Sequence, residues 1–167
     1  MLVAIDIGNT NILIGIINSE GLIQNQHRIS TVDLLNKEKS TLIELDNIFN
    51  DLNSISDYNF IIASVVPEAC NHLNHILKEI NISANILSST DKVLGMKIDI
   101  DKPSELGTDR IVNAIAAVDE YKAPLVVIDF GTATTFDIID SDGTYKGGLI
   151  CPGIKLSIKS LNSDTAQ

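Results

Sequence analysis

Asp6-Ile7-Gly8-Asn9-Thr10-Asn11 and Asp129-Phe130-Gly131-Thr132-Ala133-Thr134 present the same side-chain chemistry twice, 123 residues apart. In each, an apolar run delivers an aspartate, a glycine turn follows, and hydroxyl or amide side chains come next. That order suits a phosphate and its cation. Glycine lets the backbone approach closely, turn N–H groups face the phosphate oxygens, and the carboxylate holds a cation or its water. One copy carries little weight, because Asp, Gly, Asn and Thr are ordinary turn residues. Two copies at a fixed offset read as a pair of loops that grip phosphates from both sides of a cleft. A third group, Gly107-Thr108-Asp109-Arg110, stands directly ahead of an apolar stripe formed by Ile111, Ile115 and Val118. At such a helix start the macrodipole favours an ionised carboxylate, the form a general base needs, though the position also suits a plain helix cap. Arg110 adds a planar fork that matches a carboxylate.

Positioning these residues takes strands that end at the aspartates. Leu2–Ile7 and Ile12–Ile17 read as strands, Ser19-Glu20-Gly21 as a turn, and a third strand is expected around Leu22–Ile29, which makes two consecutive hairpins. Asp33 to Leu52 carries Leu34, Leu35, Leu42, Leu45, Ile48, Phe49 and Leu52 at helical spacing, with an interruption expected near Ser40. Asn59–Val66 reads as a buried strand, Pro67 as the first turn of a helix to about Ile80, and Asn85–Ser88 as a short strand. Ser89–Lys102 reads as a polar connection, and the later part of Pro103–Tyr121 as a helix.

After Pro124 the pattern restarts. Leu125-Val126-Val127-Ile128 lies over Leu2-Val3-Ala4-Ile5, and Ser141-Asp142-Gly143 lies over Ser19-Glu20-Gly21 at an offset of 122. The expected organisation is a duplicated α/β domain. Residues 1–123 form the first copy, and 124–167 form three strands and a helix start of an incomplete second copy, whose full extent would reach roughly residue 246. In such a part-built copy Val126, Ile128, Ile138, Ile139 and Ile150 are expected to lack much of their packing. A chain of this length is expected to self-associate and to fall short of catalysis.

Composition narrows the function. The chain has 167 residues, 12 Lys+Arg against 22 Asp+Glu, and a net charge of −10, so a basic face for nucleic acid is not expected. With 4% aromatics and no Trp it also lacks stacking platforms for single strands. No apolar run reaches the length of about 18 residues that a membrane span needs, and the start of the chain lacks a basic region, so a cytoplasmic protein is expected. Cys70 and Cys151 read as buried, reduced thiols, and His27, His72 and His75 are not spaced as metal ligands.

The paired loops resemble the phosphate motifs of the actin-like, sugar kinase and heat-shock ATPase superfamily, with its ribonuclease H-like domain. The fuller wording is similar to type III pantothenate kinase. It consists of Asp6 to Asn11, Ser64-Val65-Val66-Pro67, Pro103-Ser104-Glu105-Leu106-Gly107-Thr108-Asp109-Arg110, Asp129 to Thr135, and Gly147-Gly148-Leu149-Ile150-Cys151-Pro152-Gly153. The resemblance runs over essentially the whole chain. It implies ATP-dependent phosphorylation of pantothenate to 4′-phosphopantothenate, the first step of coenzyme A synthesis, by a cytoplasmic homodimer that uses magnesium and potassium or ammonium. Carried over by position, it makes Asp6, Ile7, Gly8, Asn9, Thr10, Asn11, Ile12 and Leu13 the first ATP-phosphate loop, with Ile7, Ile12 and Leu13 offering backbone only. Thr132 would join it on the ATP phosphates. Gly107, Thr108, Asp109 and Arg110 would contact pantothenate, with Asp109 as proton acceptor. Asp129 would hold the monovalent cation and Asp6 the magnesium. Ile100 and Lys102 depart from the Tyr and Asn common in the family beside the substrate. A non-catalytic, transcription-helper-like accessory protein, or an inactive fragment of the kinase, is the alternative reading, as is a kinase of another small substrate.

Overall fold

The computed structural model describes residues 1–52 and 57–164. The last residues of the second repeat stretch, 165–167, lie outside them. The chain forms two compact units, Met1–Leu87 and Ser88–Gln167.

The first unit is built on a sheet of order β3-β2-β1-β4-β5. β1 (Leu2–Ile7), β2 (Asn11–Ile17) and β3 (Ile23–Ser30) run antiparallel in sequence, whereas β4 (Asn59–Ser64) and β5 (Ala84–Ile86) extend the sheet parallel to β1. Period-two alternation turns Val3, Ile5 and Ile7 of β1 and Ile12 and Ile14 of β2 inward, all essentially buried. The parallel pairs need crossovers, which the helices supply. α1 (Thr31–Leu35) and α2 (Lys39–Asn50) lead from β3 to β4, and α3 (Pro67–Glu79) leads from β4 to β5. α3 opens with Pro67 in its first turn and buries Ala69, Cys70, Leu73 and Leu77. The helix break falls at residues 36–38, where Lys37 takes a φ of 56°, slightly ahead of the expected Ser40.

The second unit holds an antiparallel sheet β6-β7-β8, formed by Leu125–Phe130, Ala133–Ile139 and Tyr145–Pro152. α4 (Thr108–Glu120) and α5 (Ile154–Asp164) complete its regular elements. Its core gathers Leu106, Ile111, Ala114, Ile139 and Tyr145, with Met96, Ile98 and Val118 packed against it. Met96, Ile98, Leu106, Ile111, Ala114 and Val118, which the repeat counts with the first copy, therefore pack into the core of the second unit. Two expectations fail here. Ile139 is buried rather than stranded, because it shares a face with Tyr145 under α4, while Val126, Ile128, Ile138 and Ile150 do stay exposed. Cys151 is exposed near the end of β8, and only Cys70 is buried.

The two meanders agree in detail. Asn18 Oδ1 accepts from the N–H groups of Glu20 and Leu22, and Asp140 Oδ1 accepts from those of Asp142 and Thr144. Both middle strands shift register at the matching place, Ile16/Ile17 and Ile138/Ile139. The change of offset from 123 to 122 has a visible cause: Asp6 pairs with Leu13, but Asp129 pairs with Thr135, so the second Gly turn is one residue shorter.

Candidate active site

In the first unit the β1–β2 turn is tied down from below. Gly8 N–H donates to Asn11 O at 3.0 Å, Thr31 Oγ1 donates to Gly8 O at 2.7 Å, and Thr31 N–H donates to Thr10 O at 3.0 Å. Thr31 is buried at the start of α1, whose N-cap Ser30 accepts from Asp33 N–H. The side chains of Ile7 and Ile12 are fully buried, so these residues can offer a ligand only backbone. Asn9 and Thr10 are exposed, and Gly8, Asn11, Leu13 and Asp6 are half-buried, Asp6 lying between Leu13 of β2 and Ala63 of β4. Ser64 closes β4 beside this loop, its Oγ accepting from Val66 N–H at 3.1 Å and so starting the path into α3.

The second unit repeats the turn. Gly131 N–H donates to Ala133 O at 2.9 Å, and Gly153 N–H donates to Thr132 O at 3.2 Å. A Cβ on Gly153 would stand 2.3 Å from Thr132 O, so the chain entering α5 must carry glycine there. Asp129 and Thr132 present exposed side chains on this loop.

In the same unit, Gly107 caps α4 without a side-chain bond, and Asp109 lies in the first turn. Asp109 Oδ1 accepts from Arg110 N–H at 2.7 Å, which satisfies one of the free donors of the helix start. The macrodipole alone would lower its pKa. Burial outweighs that and pushes the Asp109 carboxyl above the usual range, against the pull of the Arg110 N–H and guanidinium, with Asp129 and Asp137 adding repulsion. The Arg110 fork already meets a carboxylate within the protein. Its Nε and Nη2 both donate to Asp137 Oδ1, at 2.7 and 2.6 Å, and Nη2 also reaches Phe136 O at 3.4 Å. Tyr145 donates its hydroxyl to the same Asp137 oxygen at 2.5 Å. Asp137 and Tyr145 are 1% and 0% exposed, and the phenol is held well above its ordinary pKa by burial and by the carboxylate it donates to.

Sequence reasoning singled out Asp109 and Arg110 but missed Asp137 and Tyr145, which the structure places against Arg110. One signal was available. Asp137 falls at the place the repeat fills with Gly15, a charge between the apolar Phe136 and Ile138.

Among the described residues no three His, Cys, Asp or Glu side chains gather as a metal cage. A hard cation at Asp6 or Asp129 would take one carboxylate and complete its shell with carbonyl, water and phosphate oxygens, which is how magnesium is commonly held beside nucleotides.

The sheet of the first unit, with its parallel pairs and aspartate-bearing turn, together with the second meander, defines an actin-like ATPase fold. Two solved structures share it. One is a 2-dehydro-3-deoxygalactonokinase-like protein from Sinorhizobium meliloti, with a TM-score of 0.57 at 15% identity over 99% of this chain and 58% of that one. The other is the ethanolamine utilization protein EutJ from Carboxydothermus hydrogenoformans, with a TM-score of 0.52 at 16% identity over 96% of this chain and 56% of that one. The family model for type III pantothenate kinase matches residues 2–167. Type III pantothenate kinases from Paramagnetospirillum magneticum and Citrifermentans bemidjiense are each 41% identical, over 100% and 96% of the chain. The chain belongs to the type III pantothenate kinase family. It spans 65% and 63% of the length of those two relatives.

Proposed function

We propose that the protein transfers the γ-phosphoryl group of ATP to the 4′ hydroxyl of pantothenate, the opening step of coenzyme A synthesis. The observation that carries this reading is the pair at the start of α4: a half-buried carboxylate, Asp109, next to an arginine clamped in place. Phosphoryl transfer asks for positioning and charge neutralisation more than for covalent chemistry. Gly107, Thr108 and Arg110 bind pantothenate, with the guanidinium on its carboxylate, and Asp109 accepts the hydroxyl proton. A carboxyl whose pKa is raised toward neutrality is a more effective proton acceptor than an ordinary one, provided it is still ionised at the working pH. Residues 6–13 and Thr132 bind the ATP phosphates through turn N–H groups and hydroxyls. Asp129 holds potassium or ammonium and Asp6 magnesium, and these ions would neutralise phosphate charge when bound. The active form is a cytoplasmic homodimer, with residues 1–123 as one copy of the duplicated domain and 124–167 as the opening of the other. The net charge of −10 argues against nucleic acid as a partner, and no helix among the described residues is long and apolar enough to cross a membrane.

Mass-spectrometric detection of phosphopantothenate from ATP, magnesium and pantothenate tests the reading directly. From the protein at the length its gene encodes, product is expected in potassium or ammonium buffer and little in sodium alone. ATP turnover with sugars or acetate but none with pantothenate would reject it.

A further inference from the structure

Arg110 has five N–H donors, and the protein itself uses those on one edge. The bonds to Asp137 Oδ1 and Phe136 O run through Nε and Nη2, and the Tyr145 hydroxyl lies against the same guanidinium. The clamp is built with some care. Asp137 is a carboxylate with 1% exposure, and its Oδ1 accepts from both Arg110 nitrogens and from the fully buried hydroxyl of Tyr145. β8 comes close enough that a Cβ on Gly148 would stand 2.6 Å from Arg110 Nη2, so glycine leaves room for the guanidinium. The Arg110 side chain keeps 14% exposure, so the clamp does not seal it from solvent.

We infer that Asp137 and Tyr145 are positioning residues for substrate recognition: they fix the guanidinium of Arg110 so that its Nη1 end, not the full Nε–Nη2 fork, meets the carboxylate of the substrate. The inference rests on the reading that Arg110 binds the pantothenate carboxylate. Buried pairs of this kind add little net stability but hold geometry, which is the property a recognition arginine requires.

The test compares pantothenate with its alcohol analogue, which lacks the carboxylate, on the protein at the length its gene encodes. Arg110→Ala serves as the reference and should abolish the preference for pantothenate. Asp137→Asn is expected to raise the pantothenate KM about tenfold, and Tyr145→Phe about threefold, the latter with kcat and the KM for ATP within about twofold of the parent. Tyr145→Phe, which leaves every charge around Asp109 in place, should not change kcat/KM for the alcohol. Tyr145→Phe keeps the ring and its packing, so it decides the matter if Asp137→Asn does not fold. Equal losses on pantothenate and the alcohol, or no loss in a folded Tyr145→Phe, would overturn the positioning role while leaving the kinase reading intact. A preference for pantothenate that survives Arg110→Ala would remove the reading of Arg110 and the inference with it.

Discussion

Asp109 sits where two requirements oppose each other. A proton acceptor must be ionised at working pH, yet burial raises its pKa above the ordinary value and so disfavours the charge. The stability linkage has a definite sign. A folded pKa above the unfolded one gives stability that is complete below the unfolded value and is lost as pH rises through the folded value. At neutral pH the ionised side chain is therefore a cost to folding. Asp109→Asn keeps an oxygen for Arg110 N–H but removes the charge. It should lower kcat by about 10²–10⁴ while pantothenate binding by calorimetry persists and the Tm at neutral pH stays level or rises. A variant that keeps half the parent kcat would leave Asp109 as a helix-start ligand alone. In the parent, the acid limb of kcat/KM should lie above the ordinary carboxylate range near about 4, because activity falls as Asp109 protonates. Asp129→Ala should abolish activity together with any difference between potassium and sodium buffers; an unchanged rate would free Asp129 of its cation role. Asp109 and Arg110 were legible because their types stand adjacent at a helix start. The partner of Arg110 lies 27 residues away on a neighbouring strand, and no local pattern announces such a contact.

At the scale of elements, the repeat made most of the fold readable, since each turn carries its own chemistry. Gly21 and Gly143 have φ of 81° and 76°, the left-handed region that side chains resist; a Cβ would meet nothing within 4 Å at Gly21 and only Val118 Cγ1, at an ordinary 3.9 Å, at Gly143. Gly21→Ala and Gly143→Ala should therefore each cost about 1 kcal/mol in denaturant unfolding, by backbone strain alone. Gly148→Ala should behave quite differently. Its Cβ would fall 1.7 Å from Phe136 O, inside the β7–β8 pairing, so the sheet itself must give way. Loss of soluble expression or of several kcal/mol is expected, and a melt within about 1 kcal/mol of the parent would refute the close approach. The fate of Cys151 and Ile139 was not readable. In a strand the two faces alternate, and sequence alone does not say which face of β7 or β8 meets α4.

Across the molecule, stability is unevenly spread. The first unit buries an unbroken aliphatic core from Val3 to Ile82, with Leu34, Leu45, Leu73 and Leu77 at 0% exposure and the Phe49 and Phe60 rings edge to face at 6.3 Å. The second unit buries far less and leaves Val126, Phe130, Leu149, Ile150, Leu156 and Leu161 between 52% and 71% exposed. Apolar residues contribute to folding in proportion to the area they remove from water, so identity is a poor guide and position decides. Leu73→Ala should cost about 2–5 kcal/mol, since it empties a site enclosed between α3 and the sheet. Ile150→Ala removes a side chain of similar size that touches mostly solvent, and should change stability by no more than about 0.5 kcal/mol. Amide exchange should follow the same division, with β1 and β4 protected longest and β8 soonest exchanged. If Ile150→Ala instead destabilised the protein as much as Leu73→Ala, the exposed face of β6–β8 would have to be covered in solution, and sedimentation of the two variants beside the parent would show by what stoichiometry.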